Sequence, residues 1–307
     1  MPLGPDHARA SRTDADRWDG LVHRYAGLVW SVPRGHGFDP ATSSQIAQTC
    51  WLRLVEQVDD IDGTVGEWLL RAARQESARA ARWHDGSGRS ALQVEPPLQS
   101  LAELPARLRL ALRVWATEAE PSTAELAAAL DVAAESVPTA LEQGLERLTV
   151  AVGDAFGGSA EIAHRLRRAV ADHDAPPAEL LAAARAAFSW RTLDAELAPL
   201  ISESSSHDDV LAGVRGVQTL RRLSFRADGL VLALEVSVDG LRRCVLGQLT
   251  PPVEADVTLR LSDGTSLDVD VDDLGRFACD DMAPGHVSLR VVEAATGRLR
   301  HTDWVLL

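Results

Sequence analysis

The sequence predicts a multidomain chain, with an all-α N-terminal half followed by an all-β C-terminal sandwich. Two observations carry this prediction. Apolar residues recur at helical spacing through the first two thirds of the 307 residues, and the period then drops to two after the polar run Ser202–Asp209. Beyond that point, aliphatic runs flank Asp263-Gly264, a dipeptide suited to a tight hairpin turn.

The first helical block runs from Arg17 to about Trp83, with Leu21, Tyr25, Leu28 and Val29, then Ile46, Trp51, Leu54 and Val55, at helical spacing. It defines a domain over 15–86. Residues 87–98 lie in a glycine-, serine- and proline-rich stretch that reads as a linker. A second helical domain follows over 99–152, broken at Pro121-Ser122, where the serine suits an N-cap. Gly153–Ser159 is another breaker, and an alanine-rich helical connector is expected over 160–204. In the β domain, 210–307, Leu230, Leu232, Leu234, Val236 and Val238 alternate along one strand. Val257, Leu259 and Leu261 pair through the hairpin with Leu267, Val269 and Val271, and Leu289, Val291, Val305 and Leu307 mark further strands.

Composition narrows the function classes. The net charge is −14 and every basic side chain apart from histidine is arginine, so contact with nucleic acid requires a local arginine patch. Three scattered cysteines, Cys50, Cys244 and Cys279, suit a reducing cytoplasm and supply neither a disulfide framework nor a zinc site. No signal-peptide pattern or membrane-length apolar run occurs, and a soluble, cytoplasmic protein without membrane partners is expected. The nine histidines are dispersed, and no phosphate loop, G-x-S-x-G or H-E-x-x-H run occurs. Asp268, Asp270, Asp272 and Asp273 lack the glycine-centred loop and terminal glutamate of a calcium site. The expectation is a protein that is not an enzyme, with no cofactor and no metal.

Three segments carry a family resemblance in the first block. They are Arg17–Trp30 (RWDGLVHRYAGLVW), Gln48–Leu54 (QTCWLRL) and Glu67–Arg82 (EWLLRAARQESARAAR). In order and spacing they resemble region 2 of sigma-70-type initiation factors of the small extracytoplasmic-function group. The resemblance implies that Gln48, Trp51 and Arg53 face core RNA polymerase, and that Arg71, Arg74, Gln75, Arg79 and Arg82 engage the promoter −10 element. Guanidinium groups hold phosphates or stack on bases, and an amide reads a base edge. The same residues also fit a solvated arginine face supported by Glu67 and Glu76, and Trp51 and Trp68 equally fit the core.

Leu101–Pro105, Ser122–Leu130 (STAELAAAL) and Ser136–Leu148 (SVPTALEQGLERL) are similar to region 4 of that family, a helix-turn-helix with its turn at Val132–Glu135. Thr139 and Gln143 then stand where a recognition helix meets the major groove. Two departures from the family pattern matter. From Glu135 to Leu148 the chain carries Glu135, Glu142 and Glu146 against Arg147 alone, and Thr42–Gln45 replaces the acidic run usual on the polymerase-facing helix.

Gly247–Leu249, Ala255–Leu259, Asp273–Phe277 and Pro284–Leu289 resemble carboxypeptidase-regulatory-like β-sandwich modules. Glu179–Leu200 looks like a segment found ahead of such sandwiches in small actinobacterial proteins. Together the resemblances imply a sigma-factor-like protein that binds polymerase core and promoter DNA, with a C-terminal domain that receives a signal or a regulatory protein partner. The alternative is a degenerate sigma-like interaction module or signalling adaptor that no longer binds promoter DNA.

Overall fold

A computed structural model describes residues 5–58, 61–82, 96–153, 157–191, 196–207, 219–239 and 242–307. The chain divides into two compact units, 1–191 and 192–307. Helices fill the first, and two antiparallel or mixed sheets fill the second. Most of the linker 87–98, the centre of the Gly153–Ser159 breaker and the 210 boundary lie outside the described residues.

The helical unit begins with α1 (Pro5–His36) and α2 (Pro40–Gln57). Asp39 caps α2, its Oδ1 accepting from the Ala41 and Thr42 amides at 2.9 and 3.1 Å, with Pro40 set at the first position where no amide is needed. Next come α3 (Val65–Ala80), capped by Thr64, and α4 (Pro96–Glu103) with α5 (Ala106–Trp115). Then follow α6 (Thr123–Leu130), α7 (Val137–Val152), α8 (Ser159–His173) and α9 (Ala178–Ala186).

Their apolar stripes make continuous cores rather than separate bundles. Leu101, Leu112, Leu148 and Ile162, from α4, α5, α7 and α8, are fully buried in one cluster, so α8 completes the core of the second helical block. At the other end Trp18 donates through Nε1 to the Ala184 carbonyl at 2.9 Å, which docks α9 on α1. The helices after residue 153 therefore pack into the helical unit.

The connector differs from the sequence expectation of helix to residue 204. A 3-10 turn ends at Trp190, and strands start at Glu196. Its serine-rich end is an edge strand that pairs with one neighbour, so it needs no apolar alternation and shows none.

In the β unit, β1 (Glu196–Ala198), β10 (Leu299–Thr302), β9 (His286–Glu293), β6 (Ala255–Leu261) and β7 (Ser266–Val269) lie in that order, and β11 (Val305–Leu306) also pairs with β9. The second sheet runs β2 (Leu200–His207), β3 (Thr219–Ala227), β4 (Leu230–Asp239), β5 (Arg242–Thr250) and β8 (Arg276–Met282). Alternate residues of both sheets, among them Leu232, Leu234, Val257, Leu259, Leu289 and Val291, share one apolar core. Gly247 lies opposite Phe277 across β5 and β8, and a Cβ there would enter the Phe277 ring. Glycine is needed so that the aromatic ring can cover the strand.

Candidate nucleic-acid interface

The residues of interest lie on α2, α3, α6 and α7, all in the helical unit. On α2, Gln48 is half-buried. Trp51 is 0% exposed and meets Trp18 edge-on at 5.8 Å between ring centroids, so it belongs to the core and offers no surface. Arg53 pairs with Glu76 of α3, with only 12% of each side chain exposed. Thr42 and Ser43 are buried, and Thr42 Oγ1 donates to Asp39 Oδ2 at 2.7 Å. A carboxylate at either position would lose its hydration on burial.

On α3, Arg71 Nη1 lies 3.5 Å from Glu67 Oε2, one turn back on the same helix. Arg79 Nη1 lies 2.7 Å from Glu76 Oε1, so Glu76 serves both Arg53 and Arg79. Arg74 points elsewhere, its Nη1 lying 3.1 Å from Asp131 Oδ2 at the end of α6. Gln75 is exposed, and so is Arg82, which lies two residues past the end of α3 rather than on the helix. The helix thus presents a basic surface whose arginines are mostly held by local carboxylates. The Arg71–Glu67 pair, the more exposed of these on α3, contributes under about 1 kcal/mol in water and is readily exchanged for phosphate.

A helix, a tight turn and a second helix follow in α6 and α7. The Ser122 hydroxyl accepts from the Glu125 amide at 3.2 Å, and the Glu125 carboxylate accepts from the Ser122 amide at 2.7 Å. This reciprocal capping box fixes the first helix. Asp131 ends α6 with φ of 56°, a left-handed conformation that turns the chain toward the 3-10 turn Ala134–Ser136. On α7 the candidates Thr139 and Gln143 are exposed, but so are Glu142, Glu146 and Arg147. That face combines one cation with two anions, and phosphate would be repelled by it.

No protein-family model, curated protein or solved structure matches this chain. What the surfaces can do follows from their charge and exposure. The α3 face suits unpaired or backbone-exposed nucleic acid, whereas the α7 face suits a partner that is not a polyanion. Among the described residues no group of three or more His, Cys, Asp or Glu side chains is placed to hold a metal, and no helix is long and apolar enough to cross a membrane.

Residues that sequence reasoning did not single out prove central to this geometry. They are Glu125 and Asp131 on α6, and Arg34, Arg113 and Asp174, which meet from α1, α5 and the end of α8. The capping-box spacing S-x-x-E was readable. The ion pairs join segments up to 140 positions apart and leave no local signature.

Proposed function

We propose that the chain is a sigma-factor-like transcription initiation or regulatory protein. In this reading it binds RNA polymerase core and promoter DNA, and its C-terminal β unit receives a regulatory signal or partner. The observation that carries the reading is the conjunction of two motif sets in one helical unit. The run QTCWLRL lies on α2 and Arg71, Arg74 and Arg79 on α3, which supports the resemblance to region 2, and the capped helix, tight turn and second helix of α6 and α7 support the resemblance to region 4. Fold alone would not license a function, but residue-level motifs in the right order do bear on it.

A second reading rests on one specific observation. The exposed face of α7 carries Glu142 and Glu146 beside Thr139 and Gln143, which suits protein contact better than duplex DNA. In that reading the helical unit is an adaptor. A pull-down of core RNA polymerase with the full chain separates the two. A salt-sensitive stoichiometric complex supports the initiation reading, and no capture at low salt leaves the adaptor reading.

A further inference from the structure

The helical blocks that the sequence separates are held face to face by charge. Along the seam between α3 and α6, Gly66 in the first turn of α3 closes onto the Glu125 carboxylate; a Cβ there would run into that carboxylate and lie 2.7 Å from Tyr25 Cε1. Glu125 is only 5% exposed. An anion at the start of a helix is favourable there, because it faces the positive end of the helix dipole. About two turns later along α3, Arg74 reaches Asp131, and its Nε is buried with no hydrogen-bond partner among the described residues. The seam therefore ties Arg74, 26% of whose side chain stays exposed, to Asp131, while Gln75 and Arg82 are open.

A second contact closes the same two blocks from behind. Asp174, at the C-terminal end of α8, accepts from Arg34 Nε of α1 at 2.9 Å through Oδ1 and pairs with Arg113 of α5 through Oδ2. Its main-chain oxygen accepts from Trp30 Nε1 at 2.8 Å. All three charged side chains are under 10% exposed. Burial, Arg34 and Arg109 pull Arg113 down to about 9, so it stays charged at neutral pH and requires its anion. Arg109 of α5 adds a bond from Nε to the Gly35 carbonyl at 2.8 Å. One carboxylate is thus shared by a guanidinium from each block, and removing it leaves both buried cations without their anion.

We propose that the segment beyond the helix–turn–helix, α8 with Asp174, is an intramolecular clamp. It holds the two helical blocks closed, with Arg74 of α3 paired to Asp131 at the end of α6. Nucleic acid engages the full α3 face only after the α3–α6 seam parts. The closure rests on the geometry alone; the masking of a DNA surface rests on the function proposed above.

The test uses the full chain with three changes. Gly66→Ala wedges the seam while suiting a helix interior better than glycine. Glu125→Gln with Asp131→Asn removes both seam charges but keeps the capping box and a residue tolerant of the left-handed turn. Asp174→Asn weakens the clamp. Amide hydrogen exchange in α3 and α6 is read beside anisotropy binding of a labelled DNA duplex carrying a short unpaired A/T-rich bubble. Faster exchange in both helices and roughly ten-fold tighter bubble binding than wild type are expected. Unchanged exchange in all three variants would overturn the clamp. Faster exchange, with the bubble bound no tighter than by wild type, would overturn the masking. Faster exchange with no DNA binding by any form would sink the DNA reading itself and the masking with it, while the exchange result would establish the closure.

Discussion

Replacing Asp174 by alanine should be among the most damaging single changes in the helical unit. The residue is 7% exposed, and its carboxylate is the shared anion of Arg34 and Arg113, whose side chains are 8% and 9% exposed. Removing one partner of a buried pair costs about 3–5 kcal/mol, because the remaining charge stays buried without compensation. The backbone at this position has φ of −140°, which alanine adopts freely, and the Trp30 bond goes to the main chain and survives. The loss is thus chiefly electrostatic. For a unit of 191 residues it corresponds to a fall of about 6–20 °C in melting temperature. Seven of the eight tryptophans lie within residues 1–191, so urea unfolding followed by tryptophan fluorescence reports this unit. A triple change, Asp174→Leu with Arg34→Met and Arg113→Met, should restore most of the loss, since apolar groups of similar size often replace a buried ion cluster without penalty. If Asp174→Ala costs less than about 1 kcal/mol, the carboxylate is not holding the blocks together and the reasoning fails.

Three further outcomes are expected. Burial, then the nearby Arg260, pushes His301 down from 6.5 to about 4, so it is neutral in the folded β unit at pH 7. Between those values the unfolded chain takes up a proton that the folded one refuses. Stability should therefore be intact above about pH 6.5 and fall by up to about 3 kcal/mol as the pH drops toward 4. His301→Gln should flatten the pH dependence of the β unit's calorimetric transition over that window, and an unaltered slope would show that the histidine is not responsible. Gly247→Ala should destabilise the β unit by about 1–3 kcal/mol in chemical denaturation, through collision with the Phe277 ring, and a neutral effect would mean that the ring moves aside freely. In the full chain, Glu142→Arg with Gln143→Arg should create salt-dependent binding to duplex DNA, each new phosphate contact adding about 0.9 to the slope of log affinity against log salt. Sequence-specific duplex binding by the unaltered chain would contradict the charge argument for α7.

Much of the architecture was readable from periodicity. The change from helical to alternating spacing separates the two units, and Ser122 was readable as the N-cap that starts α6. The Asp263-Gly264 turn did the same for β6 and β7: the Thr265 amide donates to Asp263 Oδ1 at 2.8 Å, and Val257 and Leu259 pair with Val269 and Leu267. Strand β2 was not readable, because an edge strand rich in serine buries little and shows no period. Nor was the packing of α8 and α9 into the helical unit, which depends on Asp174 and Ala184 meeting Arg34 and Trp18 far away in sequence. At the candidate interface the arginines of α3 were identifiable by spacing, but their carboxylate partners were only partly so. Glu67 and Glu76 lie one turn from Arg71 and Arg79, whereas Asp131 is brought to Arg74 by tertiary structure.

The central claim is that the α3 face engages promoter-like DNA together with core polymerase. The direct measurement is the affinity of the full chain, mixed with core RNA polymerase, for a DNA duplex with an A/T-rich bubble, compared with the Arg71→Ala, Arg74→Ala double variant across a range of salt. Wild type should bind with an affinity that falls steeply as salt rises, and the variant should bind more weakly with a slope shallower by about 2, one unit for each lost phosphate contact. Equal affinities and equal slopes for the two proteins, or no binding by wild type at low salt, would contradict the account.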